Sequence, residues 1–135
     1  QLPPSWHCDV DRLRAFLDVL PSGYQYAFEF RDPTWFIDKV YELLRDHEAA
    51  FCIYDFHDRQ SPKAITADLI YVRLHGPWGQ YQGEYETTTL VGWAGAFSTW
   101  QRQGHRIRCY FNNDEAGYAV QNAMALPSMI DGEES

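Results

Sequence analysis

The chain has 135 residues, 45% of them hydrophobic and 16% aromatic, which is one domain's length and far too apolar for a disordered tail. Eleven Lys and Arg against 19 Asp and Glu leave a net charge of −8. The arginines are scattered, so an extended nucleic-acid surface is excluded, and no apolar run approaches the roughly 20 residues of a membrane span.

In chain order, Gln1-Leu2 before Pro3-Pro4 reads as the last step of a strand, and Gln1 is not an initiator methionine, so a preceding segment is expected. Asp9 caps a helix reaching Leu20, with Val10, Leu13, Phe16, Leu17 and Leu20 on one face. Tyr24 to Arg31 is an aromatic-rich strand. Asp32-Pro33-Thr34 opens a second helix carried by Phe36, Val40, Leu43 and Leu44, and Ala49 to Asp55 is a short buried strand. Phe56 to Asp68 is polar and reads as a loop with at most one helical turn.

Leu69 to Gly76 is the next strand, and Gly76 to Thr87 a long loop carrying Trp78, Tyr81 and Tyr85. A helix from Thr89 ends at Gly104, Arg106 to Asn112 is the last strand, and Ala116 to Leu126 the last helix. Residues 127–135 form an acidic tail expected to be disordered. Strands separated by helices, without hairpin signals, predict an α/β fold of parallel (β/α) repeats. A closed eight-stranded barrel takes about 250 residues, so residues 1–126 make either a small open sheet or part of a TIM-type barrel.

Side chains alternate across a strand, and three strands share one parity. Phe28 and Phe30 oppose Glu29 and Arg31; Val72 and Leu74 oppose Arg73 and His75; Cys109 and Phe111 oppose Tyr110 and Asn112. Polar residues at the carboxyl ends of parallel strands are where such folds place their sites. Asp55, Asn113 and Asp114 are expected on the same rim. The candidate roles are acid/base catalysis for Glu29, His75 and Asp114, and ligand binding for Arg31, Asp55, Arg73, Asn112 and Asn113. Trp78 and Tyr81 would add a stacking wall.

Other readings of the same residues stand beside this one. Glu29 with Arg31 or Arg73 also fits a silent buried ion-pair ladder. A divalent metal on Glu29, Asp55, His75 and Asp114 lacks any tight ligand spacing, so no cofactor is predicted. Cys8, Cys52 and Cys109 show no pairing pattern, which points to a reducing, cytoplasmic setting, with Cys52 and Cys109 as small apolar fillers.

The segments Gln1-Leu2-Pro3-Pro4-Ser5-Trp6, Glu29-Phe30-Arg31-Asp32-Pro33-Thr34-Trp35-Phe36, Thr66-Ala67-Asp68, Tyr71-Val72-Arg73-Leu74-His75-Gly76 and Tyr110-Phe111-Asn112-Asn113-Asp114 carry a resemblance. With Ala119, Asn122 and Ala123, they resemble the domain-of-unknown-function 72 family, the YecE-like proteins, in order and in spacing. The resemblance covers the later part of that family and implies the carboxyl-terminal portion of a TIM-type barrel. The family's polar positions fall on Glu29, Arg31, Arg73, His75, Asn112, Asn113 and Asp114.

The first expectation is therefore a pocket for a small polar or phosphorylated, sugar-like molecule, with His75 or Glu29 moving protons. A non-catalytic binding or scaffold module is the alternative, and a metal-assisted phosphoester hydrolase a weaker one. Neither nucleic acid nor membrane is an expected partner. Further amino-terminal strands or a second copy would complete the barrel.

Overall fold

The structure is a computed structural model that describes residues 1–56, 59–76, 85–113, 122–123, 125–127 and 129. Asp9 starts the first helix by accepting the Arg12 amide at 3.0 Å, one of the donors that a helix start leaves open. This helix, α1 (Val10–Val19), buries Leu13 and Leu17. The chain reverses through Gly23 at φ +87°, a conformation that favours glycine.

The strand expected from Tyr24 to Arg31 is paired in regular fashion only over β1 (Ala27–Phe28). Its flanks are nevertheless bonded on both sides. Ala50 donates to the Tyr26 carbonyl at 2.8 Å, and Leu2 donates to the Glu29 carbonyl at 3.0 Å. The Gln1-Leu2 stub thus lies along β1, as its sequence implies.

The second predicted helix divides in two. Asp32 accepts the Thr34 amide at 2.9 Å and caps a single 3-10 turn, Pro33–Trp35. Trp35 ends that turn because its ring is buried on Phe30, centroids 4.7 Å apart, while its Nε1 donates to the Trp6 carbonyl at 2.8 Å. The true α-helix, α2 (Asp38–Asp46), follows and buries Val40, Leu43 and Leu44.

β2 (Ala50–Phe56) runs into a short antiparallel partner, β3 (Arg59–Gln60), where the sequence reads as loop with one helical turn. Ser61 explains the reversal. It donates its amide to the Tyr54 carbonyl at 3.0 Å and takes the Tyr54 amide on its hydroxyl at 2.9 Å. A side chain thereby replaces a backbone partner, a device invisible to hydrophobic patterning.

β4 (Leu69–Leu74), α3 (Thr87–Arg102) and β5 (Arg106–Phe111) complete the described elements. α3 begins two residues before the predicted Thr89, and Gly104 closes it at φ +93°. β1, β2, β4 and β5 form one parallel sheet in that order, with β3 added on β2. This is the expected α/β fold of parallel (β/α) units, with β1 and β5 at the ends of the strand order, like the later part of a barrel. Of the predicted last helix, Ala116 to Leu126, residues 122–123 and 125–126 are helical; residues 116–121 and 124 lie outside the described residues. So does the acidic tail, apart from Pro127 and Met129.

The sheet has two distinct faces. Phe28, Phe30, Phe51, Ile53, Ile70, Val72 and Leu74 join the hydrophobic core together with Leu90, Trp93 and Phe97 of α3. Glu29, Cys52, Tyr54, Tyr71, Arg73 and Tyr110 are the alternate residues and occupy the other, inner face. Among the described residues, no helix is long and apolar enough to cross a membrane.

His47, which caps the end of α2, fastens it to α1. Its Nε2 lies 3.0 Å from Asp18 Oδ1 and its Nδ1 3.0 Å from the Leu43 carbonyl. The Leu43 carbonyl, then the Asp18 carboxylate, favour N–H on both nitrogens and raise the imidazole above its ordinary value. A raised folded value means the contribution is full below about pH 6.5 and fades as pH climbs through the folded value. His47→Gln should therefore destabilise by under about 1 kcal/mol at pH 6, since the pair is exposed, and by nothing at pH 9. Urea titrations at both pH values check this, and equal losses at both would contradict it.

Candidate functional site

The centre of the inner face is Glu29, whose side chain is 3% exposed. Its neighbours come from three strands. Arg31 Nε donates to Glu29 Oε2 at 2.5 Å, Arg73 Nη1 donates to Oε1 at 3.3 Å, and His75 Nε2 lies 3.2 Å from Oε1. The Cys52 thiol donates to the same Oε1 at 3.3 Å. Burial works to raise the carboxyl, but hydrogen bonds from His75 and Arg31, with their charge, hold it down to about 2. Glu29 is thus a carboxylate at every physiological pH.

Arg31 and Arg73 differ in what they have left to offer. Arg31 is 6% exposed and its guanidinium lies over the rings of Tyr54 and Phe56, at 5.2 and 4.9 Å. Its Nη2 approaches His75 Nε2 at 3.2 Å. An Arg31 N–H needs a lone pair on that nitrogen, whereas Glu29 needs an N–H, so one imidazole atom serves opposite partners according to its proton. Arg73 is 22% exposed and is steered from the sides: Nε donates to Asn112 Oδ1 at 3.2 Å and Nη1 to Gln1 Oε1 at 3.1 Å. Among the described residues its Nη2 takes no partner. A cavity of about 360 Å³ lies against this face, lined by Glu29, Arg73, Tyr71, Tyr110 and Arg108.

Five of the predicted residues, Glu29, Arg31, Arg73, His75 and Asn112, are therefore brought together. Asp55 and Asn113 are not. Asp55 stands level with Leu74 in the ladder, on the parity of Ile53 and Phe51, and faces the helices. It is buried there beside Tyr85, whose hydroxyl takes the Gly76 amide at 2.9 Å and donates to the Asp55 carbonyl at 3.4 Å. Burial pushes the Asp55 carboxyl up, against hydrogen bonds from Gln60, the Phe56 backbone and Tyr85. Asn113 belongs to the same group, donating to Asn122 Oδ1 at 2.8 Å, an oxygen that also accepts the Tyr85 amide at 3.0 Å.

This second cluster ties the strand ends to residues 85 and 122 and lies behind the sheet from the cavity. The expected rim is in fact two groups on opposite faces. Trp78, Tyr81 and Asp114 lie outside the described residues.

The metal reading fares according to the same division. Glu29 is committed to two arginines and a histidine, and Asp55 lies on the other face. Among the described residues no group of three His, Cys, Asp or Glu side chains is arranged for an ion.

Gln1 and Cys52 join the inner-face network without having been singled out as site residues. Cys52 is more than an apolar filler, since it donates to Glu29; burial first, then the Glu29 charge, push its thiol well above the ordinary range. Burial alone pushes Cys109 up to about 12. Both shifts favour the neutral thiol over the nucleophilic thiolate.

The larger cavity, about 650 Å³, lies at the amino ends of the strands beside Arg45, His47, His105 and Arg106. None of the predicted site residues lines it.

Comparison with solved structures places this geometry in a family. The chain superposes on a DUF72 family protein from Thermotoga maritima with a TM-score of 0.86 and 26% identity, covering 97% of this chain and 56% of that one. Two structures of a DUF72 family protein from Enterococcus faecalis give TM-scores of 0.80 and 0.75 at 17% and 19% identity. They too are matched over 97% of this chain, and over 57% and 59% of their own length. The chain thus spans little more than half the length of these relatives. No curated protein matches it. The family model described as "protein of unknown function DUF72" matches residues 1–135, and the chain belongs to that family.

Proposed function

We propose that the inner face binds a small, polar, anionic molecule of the phosphorylated-sugar class, held by Arg73. The observation that carries this is the local charge. Arg31, Arg73 and Arg108 face a single carboxylate, Glu29, on a chain whose net charge is −8. Arg31 and Arg73 both meet Glu29, which leaves one positive charge in surplus, and Arg73 keeps its Nη2 beside a cavity of small-ligand size.

The roles divide accordingly. Glu29, held ionised to about pH 2, is a poor proton carrier and acts by orienting Arg31, Arg73 and His75. His75, fully buried, packs its Nε2 against Glu29, and Asn112 aims Arg73. Closure of the cavity falls to further parallel strands or to a second copy along the sheet edges. Free thiols at Cys8, Cys52 and Cys109 are compatible with a reducing compartment, and a cytoplasmic location is part of this proposal.

A second reading, a binding scaffold with no reaction, is favoured by one fact: both Glu29 oxygens accept hydrogen bonds within the protein, Oε2 from Arg31 and Oε1 from Arg73 and Cys52, as a structural network requires. Thermal shift separates the two. With glucose 6-phosphate, the wild type should melt progressively higher as ligand is added, and Arg73→Gln should need about tenfold or more ligand for the same shift. If neither inorganic phosphate nor glucose 6-phosphate moves the wild-type melt, the scaffold reading prevails.

A further inference from the structure

Beyond Arg73, the same face carries an arrangement that bears on which anion fits. β4 and β5 pair in parallel with Tyr71 opposite Arg108 and Arg73 opposite Tyr110. Residues two apart share a face, so these four side chains form a checkerboard on the inner surface. The two tyrosines close one diagonal, their rings 5.2 Å apart and inclined by 31°. The two arginines occupy the other diagonal, with Cα atoms about 8 Å apart from ordinary strand spacing and rise.

Arg73 shares the Glu29 carboxylate with Arg31, so the two arginines on this diagonal carry more positive charge than Glu29 offsets. Arg108 has no hydrogen-bond or ion-pair partner among the described residues, and Arg73 keeps its Nη2. Tyr110 is 43% exposed, so the aromatic ridge is open to a ligand. All four residues line the 360 Å³ cavity.

The geometry points to a ligand with two anionic groups on either side of a ring, the class of sugar bisphosphates, with one phosphate on Arg73, the other on Arg108, and the ring on Tyr110. This rests on the proposed anion site at Arg73 and narrows it. Two arginines on one diagonal match two anionic groups, and a ringless dianion would leave the tyrosine ridge bare. In an ordinary sheet, by contrast, the tyrosine pair would serve only cross-strand packing and Arg108 would be a solvated edge charge.

Isothermal titration at low ionic strength decides between these, with glucose 6-phosphate, glucose 1,6-bisphosphate and pyrophosphate as probes. The wild type should bind the bisphosphate about tenfold or more tightly than the monophosphate. Arg108→Gln, at an exposed position, should erase that ratio by weakening the bisphosphate far more than the monophosphate. Tyr110→Ser should weaken both sugar phosphates and spare pyrophosphate. A wild-type ratio near one, or a ratio that survives Arg108→Gln, overturns the two-anion inference. If the ratio is near one but monophosphate binding still depends on Arg73, the anion site stands and only this inference falls. Absence of binding by all three probes overturns both.

Discussion

Glu29→Ala should lower the unfolding free energy by about 3–5 kcal/mol, the loss expected when one partner of a buried ion pair is removed. The burden falls on Arg31, only 6% exposed, whose charge would keep the Tyr54 and Phe56 rings but lose its carboxylate. Arg73 would suffer less, because it is 22% exposed and retains Asn112 and Gln1. For a domain stable by about 5–15 kcal/mol, such a loss moves the urea midpoint far outside experimental error. Removing both charges, as Glu29→Leu with Arg31→Leu, should recover most of it, since no charge is then stranded. A Glu29→Ala loss below about 1 kcal/mol would show that the network does not hold the fold together.

The second large effect is acid sensitivity. Glu29 sits at about 2 in the folded chain against 4.5 as an ordinary carboxyl. That gap of about 2.5 pH units corresponds to roughly 3 kcal/mol. A depressed folded value means this stability is complete above about pH 4.5 and drains away as pH falls toward 2. Asp55 works in the opposite direction. Burial raises it, so its ionised form burdens the fold, and protonation relieves that burden over the acid range. The wild type should therefore lose somewhat less than Glu29 alone dictates. Urea unfolding of wild type and Glu29→Gln between pH 7 and 2.5 should give curves that converge in acid. Parallel curves would contradict the assignment of this stability to Glu29.

The inner-face constellation was legible in the sequence because alternation is a strict geometric rule. Once Phe28, Phe30, Val72 and Leu74 are assigned to the helices, Glu29, Arg31, Arg73 and His75 must share the other side. The same rule, applied one residue further, would have separated Asp55 from Tyr54 and Asn113 from Asn112. Those two were grouped by nearness to the strand ends, which ignores the face. Cys52 was recoverable by the same parity, since it alternates with Phe51 and Ile53.

Other features had no readable signal. Gln1 reaches Arg73 across 72 residues of sequence through a fold-dependent contact. β3 is built from exposed Arg59 and Gln60 and anchored by a serine side chain, so neither hydrophobicity nor turn chemistry announces it. The 3-10 turn at Pro33–Trp35 follows from Trp35 packing onto Phe30, a tertiary demand that overrides the continuous helical pattern.

On the proposed reading, Arg31 and Arg73 together outweigh the Glu29 charge, and Arg73 keeps its Nη2 for an anion on the inner face. The crystal structure of the protein grown with saturating glucose 6-phosphate tests this most directly. The phosphate should lie within hydrogen-bond distance of Arg73 Nη2, with Glu29 still paired to Arg31. A phosphate seated instead beside Arg45 and Arg106 at the amino ends of the strands, with the inner face empty, would contradict it.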